Sequence, residues 1–536
     1  MNKFGKFLLI ACMLLVSAAT WACTNLLVGK NASVDGSTFI SYSCDGYGFA
    51  GSLHYTPPSD YGQGAIFSKG WGGRKPYCDV PQPAHTYSVM GNINEYQVAI
   101  GETTFDGRPE LEDTLKRGID YPTLMMLALQ RSRTAREAIS VMTSLVAEYG
   151  YHSTGESFSI ADPNEVWIME MIGKGSAEKG AIWVACRIPD DCIAAHANQS
   201  RIHQFPLRDK ENCIYSSDVI SFARKKGYFN GKDKDFDFAN AYNPLTFEGR
   251  RFCEARVWSF FQKYCKATEK YIDYIKGSSD EPMPLFVKPD RKLSVRDVQN
   301  MMRDHYEGTE LDPTKDVSAG AFHSPYRVSA LLYKVDGKEM FSERPIATQQ
   351  SAYTLVAQMR SHLPNAVGGI LWFGLDDSNM TVFTPVYCCS DRVPECYLPK
   401  YATSDKFSWK SAYWVYNWVA GMIRPYYSLM IGDMRAVQNK QEDKFANSQD
   451  SIEAAAIKLY KDYPTKAKEM LTDYGVRMAE ETFSAWKNLG EVLLVKYNDG
   501  ARIDHKTGRV KRVYPSEDYA KEVLKATGER YLVPKK

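Results

Sequence analysis

The chain lacks most of what marks a nucleic-acid or membrane protein. Its 66 basic and 64 acidic residues nearly cancel, and Lys3 and Lys6 account for the whole surplus. No charge bias is left to attract a polyanion or a lipid headgroup surface. There is one long apolar run, residues 7–16, and it is too short to cross a bilayer. Internal repeats and low-complexity tracts are missing, which leaves an ordinary globular chain. No cysteine pair has CxxC spacing and no HExxH occurs, so the usual sequence marks of a zinc site are absent.

What is present begins at the N-terminus. Lys3 and Lys6 precede the apolar run, and Thr20 and Ala22 put small residues at the two positions a signal peptidase inspects. This predicts an export signal over residues 1–22, with cleavage after Ala22. Cys23 then opens the mature chain with a free α-amine beside its thiol. A thiol attacks only as thiolate, with an ordinary pKa of about 8.5. An α-amine has a pKa of about 7.7–8.0, so near neutral pH it can take the proton of its own side chain. One residue supplies nucleophile and base. Such a site still needs donors for an oxyanion and a carboxylate to orient the amine. Two other readings of Cys23 stand beside this one: a lipid-anchored cysteine, which Thr20 and Trp21 fit badly, and a structural cysteine near the cleavage point.

The 536 residues allow one large domain with appendages or two domains. Of 12 cysteines, Cys12 leaves with the signal and Cys23 is reserved, and the even remainder in an exported chain predicts disulfides. Cys186 and Cys192 flank Arg187-Ile188-Pro189-Asp190-Asp191 symmetrically. A hairpin centred on Pro189 would set them opposite each other, within disulfide reach.

Along the chain, residues 25–28 and 38–43 read as a β-hairpin turning at Val34-Asp35-Gly36-Ser37. The spacing of Gly46, Gly48 and Gly51 matches a dinucleotide fingerprint, but no helical pattern follows and the stretch reads as a loop. Asn94 starts a turn and strand. Tyr121 and Thr134 start helices, the second ending near Gly150, and strands follow over 157–161, 165–170, 181–186 and 192–198. Ser294 caps a helix running to Met302. Later strands are expected over 346–354 and 369–373, and long helical periodicity runs over 409–494. Strands, then two helices, then strands imply packed sheets flanked by helices rather than a doubly wound fold.

With these blocks collected, the chain resembles the bacterial dipeptidase A family, cysteine peptidases of the N-terminal nucleophile hydrolase superfamily. The similar segments are Cys23-Thr24 through Asp35-Gly36-Ser37 to Asp45, and Asn94-Glu95-Tyr96 through Gly101-Glu102-Thr103. They continue with Ala161-Asp162-Pro163 to Glu170, Ala195-His196-Ala197-Asn198-Gln199-Ser200-Arg201-Ile202, Arg303-Asp304-His305-Tyr306-Glu307-Gly308-Thr309, and Gly368-Gly369-Ile370-Leu371-Trp372-Phe373-Gly374. The resemblance implies an α+β chain: an αββα sandwich over 23–400 after the signal, with a helical appendage over 401–536. It implies hydrolysis of dipeptides without a cofactor or metal, with no nucleic acid or stable membrane association. It places Cys23 as nucleophile, Asp45 near the amine, Asn198 in the oxyanion hole and Asn94 in a block that supplies another polar group. The family usually carries Arg where Tyr42 stands. Tyr42 and Arg201 are candidates for substrate contact, and Arg74, Arg201 and Arg327 for the missing charge. His196, His305 and Glu307 are assigned structural roles, since the amine serves as base. The same fold also suits an amidase of the bile-salt or penicillin acylase kind, and from another class a membrane-anchored lipoprotein that binds without cleaving.

Overall fold

The computed structural model describes residues 23–534 apart from 71, 72, 74, 328, 329 and 505. The expected export signal over 1–22, and Arg74, lie outside the described residues.

The chain is α+β, and two antiparallel sheets carry it. The first runs, in spatial order, Phe286–Val287, Ile193–His196, Asn25–Val28, Thr38–Asp45, Ser351–Met359, Ile370–Leu375 and Thr384–Tyr387. The second runs Cys213–Tyr215, Ala181–Ile188, Val166–Gly173, Gly155–Ala161, Ala99–Phe105, Ile93–Asn94, Val89–Met90 and Tyr55–Thr56. The central strands of both are buried on both faces, which is why Leu26, Leu27 and Val28 form a continuous apolar run rather than an alternating one. The hairpin forms as expected, pairing Leu27 with Ile40 and Val28 with Phe39. The 46–51 stretch is a loop with no helix behind it.

The sheets meet face to face at a close approach. A Cβ on Gly101 would stand 2.8 Å from the Asn25 side chain and 3.2 Å from Cβ of Tyr42, so glycine lets the two layers touch there. Helices Tyr121–Leu129 and Ala135–Tyr149 cover the outside of the second sheet. Asp120 caps the first by accepting from the Thr123 N–H, and Thr134 caps the second by accepting from Glu137. Ala138, Ile139, Met142 and Val146 pack against Ile160, Trp167 and Met169 to make one core.

Helices Ala255–Tyr264, Val295–Met301, Ala412–Ile423, Tyr427–Tyr460 and Pro464–Lys496 lie along the other side, against the first sheet. The capping box at Ser294 is formed with Asp297. A bidentate, buried ion pair, Arg360 to Glu453 at 2.7 and 2.8 Å, fastens the long C-terminal helices to the sheet.

Two expectations are corrected. The strand expected over 346–354 is displaced to Ser351–Met359. Residues 344–350 instead wrap the end of Thr38–Asp45, where Gly46 N–H donates to the Gln350 carbonyl. Cys186 does not face Cys192. Ala181–Ile188 belongs to the second sheet and Ile193–His196 to the first, so the turn at Pro189 crosses between layers and cannot pair the two. Cys186 lies opposite Cys213, sulfur to sulfur 3.6 Å, and all the described cysteines are free thiols.

Candidate active site

Cys23 sits at the open end of strand Asn25–Val28, where Thr24 bridges to Ser43 on the neighbouring strand. Its side chain is 0% exposed and points between the sheets. The sulfur lies 3.7 Å from Oε1 of Glu102 and 4.0 Å from the Tyr42 hydroxyl, which itself donates to the same carboxyl oxygen at 2.6 Å. Tyr42 packs edge-on against Tyr353, ring centres 5.7 Å apart. The strand alternation that turns Ser41 and Ser43 one way turns Tyr42 the other, towards the second sheet.

Glu102 is held in place through its main chain. With its amide oxygen turned to the available donors, Asn25 accepts from Glu102 N–H at 3.0 Å and from Ser159 at 3.0 Å, and donates to the Glu102 carbonyl at 3.1 Å. Ser159 in turn contacts His196 Nε2 at 2.7 Å, and His196 Nδ1 contacts Thr103 Oγ1 at 2.7 Å. A proton on Nε2 satisfies the whole chain, and burial holds the imidazole neutral, its pKa down at about 3. His196 is therefore a strut between the layers. His305, bonded to Glu307 through both its N–H and its ring nitrogen, is also local structure.

The electrostatics around the sulfur oppose ionisation. Burial pushes the Cys23 thiol well above its ordinary value, and Glu102, Cys44 and Asp45 push the same way. The Asp45 backbone N–H favours the thiolate but does not offset them. Burial also raises Glu102, against hydrogen bonds from Tyr42 and Cys23. In the full-length chain the sulfur is thus a protonated, enclosed thiol.

A second set of contacts surrounds the Cys23 backbone. Arg256, at the start of helix Ala255–Tyr264 and just after a π-helical turn, is 1% exposed. It donates to the Cys23 carbonyl at 2.6 Å, Thr24 Oγ1 at 2.7 Å, the Ala197 carbonyl at 3.2 Å, Asn198 Oδ1 at 2.9 Å and the Phe252 carbonyl at 2.7 Å. One guanidinium therefore ties Cys23 to Asn198. Asn198 adopts a left-handed φ of 61°, a conformation asparagine tolerates, and its amide nitrogen donates to the Thr104 carbonyl at 2.6 Å.

Asp45 lies at the far end of the same strand as Tyr42 and is fully buried. It accepts from Ser351 at 2.6 Å, Ser43 at 3.1 Å and Arg344 at 2.8 Å. Burial keeps its pKa raised, with Arg344 pulling against that.

The expected site residues thus divide. Cys23, Tyr42, Asp45 and Asn198 converge. Asn94 does not: its amide hydrogens go to the Leu129 and Ser132 carbonyls and its oxygen accepts from Tyr96 and Val98, so it is a turn clasp with no donor left for a substrate. Arg201 is also corrected. Its five N–H groups go to Glu254 and to the carbonyls of Ala195, Met283, Pro284 and Leu285, which leaves none for a ligand. Arg327 serves local carbonyls near Asp316. The charges beside the site come instead from Arg256 and Arg344. Sequence reasoning assigned neither, and it gave no role to Glu102.

The chain is an enzyme of the cysteine-type peptidase class. Residues 22–57 and 74–440 match Peptidase family C69, and the chain belongs to that family. A probable dipeptidase of Latilactobacillus sakei is 26% identical over 504 residues, covering 87% of this chain and 98% of its own. A probable dipeptidase of Salmonella dublin is 27% identical over 406 residues, covering 71% and 84%. A probable dipeptidase B of Streptococcus pyogenes serotype M1 is 23% identical over 508 residues, covering 90% and 94%. The matching family segments include Cys23, Tyr42, Asp45, Glu102, Asn198, Arg256 and Arg344.

Proposed function

We propose that the chain is an exported cysteine dipeptidase on an N-terminal nucleophile hydrolase fold, active once residues 1–22 are removed. The observation that carries this reading is the Arg256 guanidinium, which holds the Cys23 carbonyl and the Asn198 amide oxygen at 2.6 and 2.9 Å. It sets an amide beside the first residue that follows the export-like segment.

The enclosed thiol explains why processing matters. Before cleavage, Cys23 nitrogen is an amide and the sulfur faces carboxyl groups that keep it protonated. Cleavage converts that nitrogen to an α-amine, which takes the thiol proton. The thiolate then attacks the substrate carbonyl, and Asn198 donates to the oxygen as negative charge develops there. The amine returns its proton to the leaving nitrogen, an acyl-thioester forms, and water releases the acid. Asp45, its charge balanced by Arg344, orients the new amine. The names of the C69 relatives support dipeptides as the substrate class.

The test joins three measurements on protein secreted by an exporting host. Its mass and N-terminal sequence are expected to give Cys23 without lipid. Unblocked dipeptides are expected to be cleaved, and acylated amino acids of the bile-salt or penicillin type to be poor substrates. Cys23→Ala is expected to abolish turnover. Full activity with any residue ahead of Cys23 would overturn the amine-as-base mechanism.

A further inference from the structure

Behind the Cys23 sulfur lies a second carboxyl. Glu102 and Glu156 occupy diagonal positions on the same face of paired strands, since Thr104 is the residue opposite Glu156. Thr104 donates to Glu156 Oε1 at 2.9 Å, and Tyr42 to Glu102 Oε1 at 2.6 Å. The other oxygen of each, Oε2, is buried and receives no donor from the protein. Glu102 is 1% exposed and Glu156 0%. No Lys, Arg or His among the described residues pairs with either one. Several other buried carboxyls do have a cation, and Glu170, which has none, instead accepts from Ser157, Ser200 and the Arg201 and Ile202 N–H groups. Asp45 has Arg344, Glu254 has Arg201 and Glu453 has Arg360.

Two neighbouring carboxyls without a cation cannot both ionise in a dry interior, so at least one of the pair stays protonated. Burial drives both upward; Glu102 pushes Glu156 up further, while Glu156 pulls Glu102 the other way. Such an arrangement is complementary to a compact cation, because an ammonium carries the donors that both Oε2 atoms lack. The location limits what that cation is. In a peptide attacked at its first carbonyl, a single carbon separates the α-nitrogen from the carbonyl carbon. With the sulfur at an attack distance of about 3–3.5 Å, that nitrogen stays within reach of Glu102, whose oxygen is 3.7 Å from the sulfur.

We infer that Glu102 and Glu156 form the subsite that anchors the free α-ammonium of the substrate's first residue. This rests on the dipeptidase reading and deepens it, naming the groups that make an unblocked N-terminus a requirement. Glu156 acts as a specificity residue without touching the sulfur.

The experiment compares a dipeptide with its desamino analogue, in which hydrogen replaces the α-amine, on processed enzyme. Wild-type enzyme is expected to favour the dipeptide in kcat/KM. Glu156→Gln, which keeps the acceptor for Thr104, is expected to shrink that preference roughly 10- to 100-fold, the worth of one charge-assisted hydrogen bond. The change should fall mainly on KM for the dipeptide, with the analogue little affected. Glu102→Gln is the second variant, read by the same ratio whatever its effect on absolute rate. A preference unchanged in both variants overturns the inference, including the case in which both substrates slow equally, because the pair then serves Cys23's own amine or thiol. Failure of wild-type enzyme to cleave any unblocked dipeptide would instead remove the dipeptidase reading itself.

Discussion

The Arg344 guanidinium donates to Asp45 at 2.8 Å, joining residues 299 positions apart in a pair that is almost wholly buried. Removing one member leaves a desolvated charge, so Arg344→Met is expected to destabilise the protein by roughly 3–5 kcal/mol. The pH dependence has a definite sign. Asp45 titrates above its ordinary value in the folded state, so its contribution to stability is largest at acid pH and is lost as pH rises through the folded pKa. Arg344→Met raises that pKa further. The gap between wild type and variant should therefore widen on going from acid to neutral pH, as urea unfolding at several pH values would show.

Two asparagines with similar sequence credentials should behave in opposite ways. Asn198→Ala is expected to lower kcat about 10²–10³-fold with little change in KM, the usual cost of losing one oxyanion donor. Asn94→Ala strands two buried carbonyls and two backbone N–H groups. It is expected to cost roughly 2–4 kcal/mol of stability, while kcat of the folded fraction is kept. Steady-state kinetics paired with thermal unfolding separates the two. A kcat loss in Asn94→Ala at full stability would restore it to the site.

The thiol itself gives a third measurement. In protein retaining residues 1–22, alkylation of Cys23 followed by peptide mapping is expected to be slow at neutral pH, since burial and the neighbouring Glu102 and Asp45 hold the thiol protonated. Glu102→Gln removes one of those neighbours and should move the alkylation midpoint to lower pH. Cleavage after Ala22 should accelerate the reaction far more.

Tyr42→Arg tests the position at which this chain departs from the family it resembles. The Tyr42 hydroxyl lies within 4.0 Å of the sulfur and 2.6 Å of Glu102. A guanidinium there would pair with Glu102 and favour the thiolate. The acidic limb of kcat/KM should move to lower pH, and KM for dipeptides should rise as the guanidinium competes for the carboxyl pair. No movement in either would remove Tyr42 from the site.

Local signals in the sequence were faithful wherever local physics decides. The helices expected to start at Tyr121 and Thr134 and after the Ser294 cap begin within a residue of those positions, and the opening hairpin has the expected pairing. Cys23 stood out in the sequence because the role proposed for it depends on a neighbouring segment of the same chain. Arg256 was not, because nothing in Glu254-Ala255-Arg256-Val257 marks it. Its role comes from Cys23, Ala197 and Asn198, brought to it by two other elements. Glu102 and Glu156 did carry a signal, a carboxylate inside an otherwise apolar or small strand, which water could not reach once both sheet faces were covered. Cys186 and Cys192 misled for the converse reason. Symmetric spacing describes a hairpin within one sheet and says nothing of a chain that changes sheets at Pro189.

The Asn25 clasp grips Glu102 by its main-chain N–H and carbonyl and leaves the side chain out of the bargain. Sheet alignment and the chemistry shown to the substrate are therefore encoded separately at one position. A codon change at 102 can alter which charge meets the incoming peptide while the two layers stay fastened in register. In a lineage of such enzymes, that separation makes residue 102 a place where substrate preference can drift without first unmaking the scaffold, whereas Asn25 has no comparable latitude.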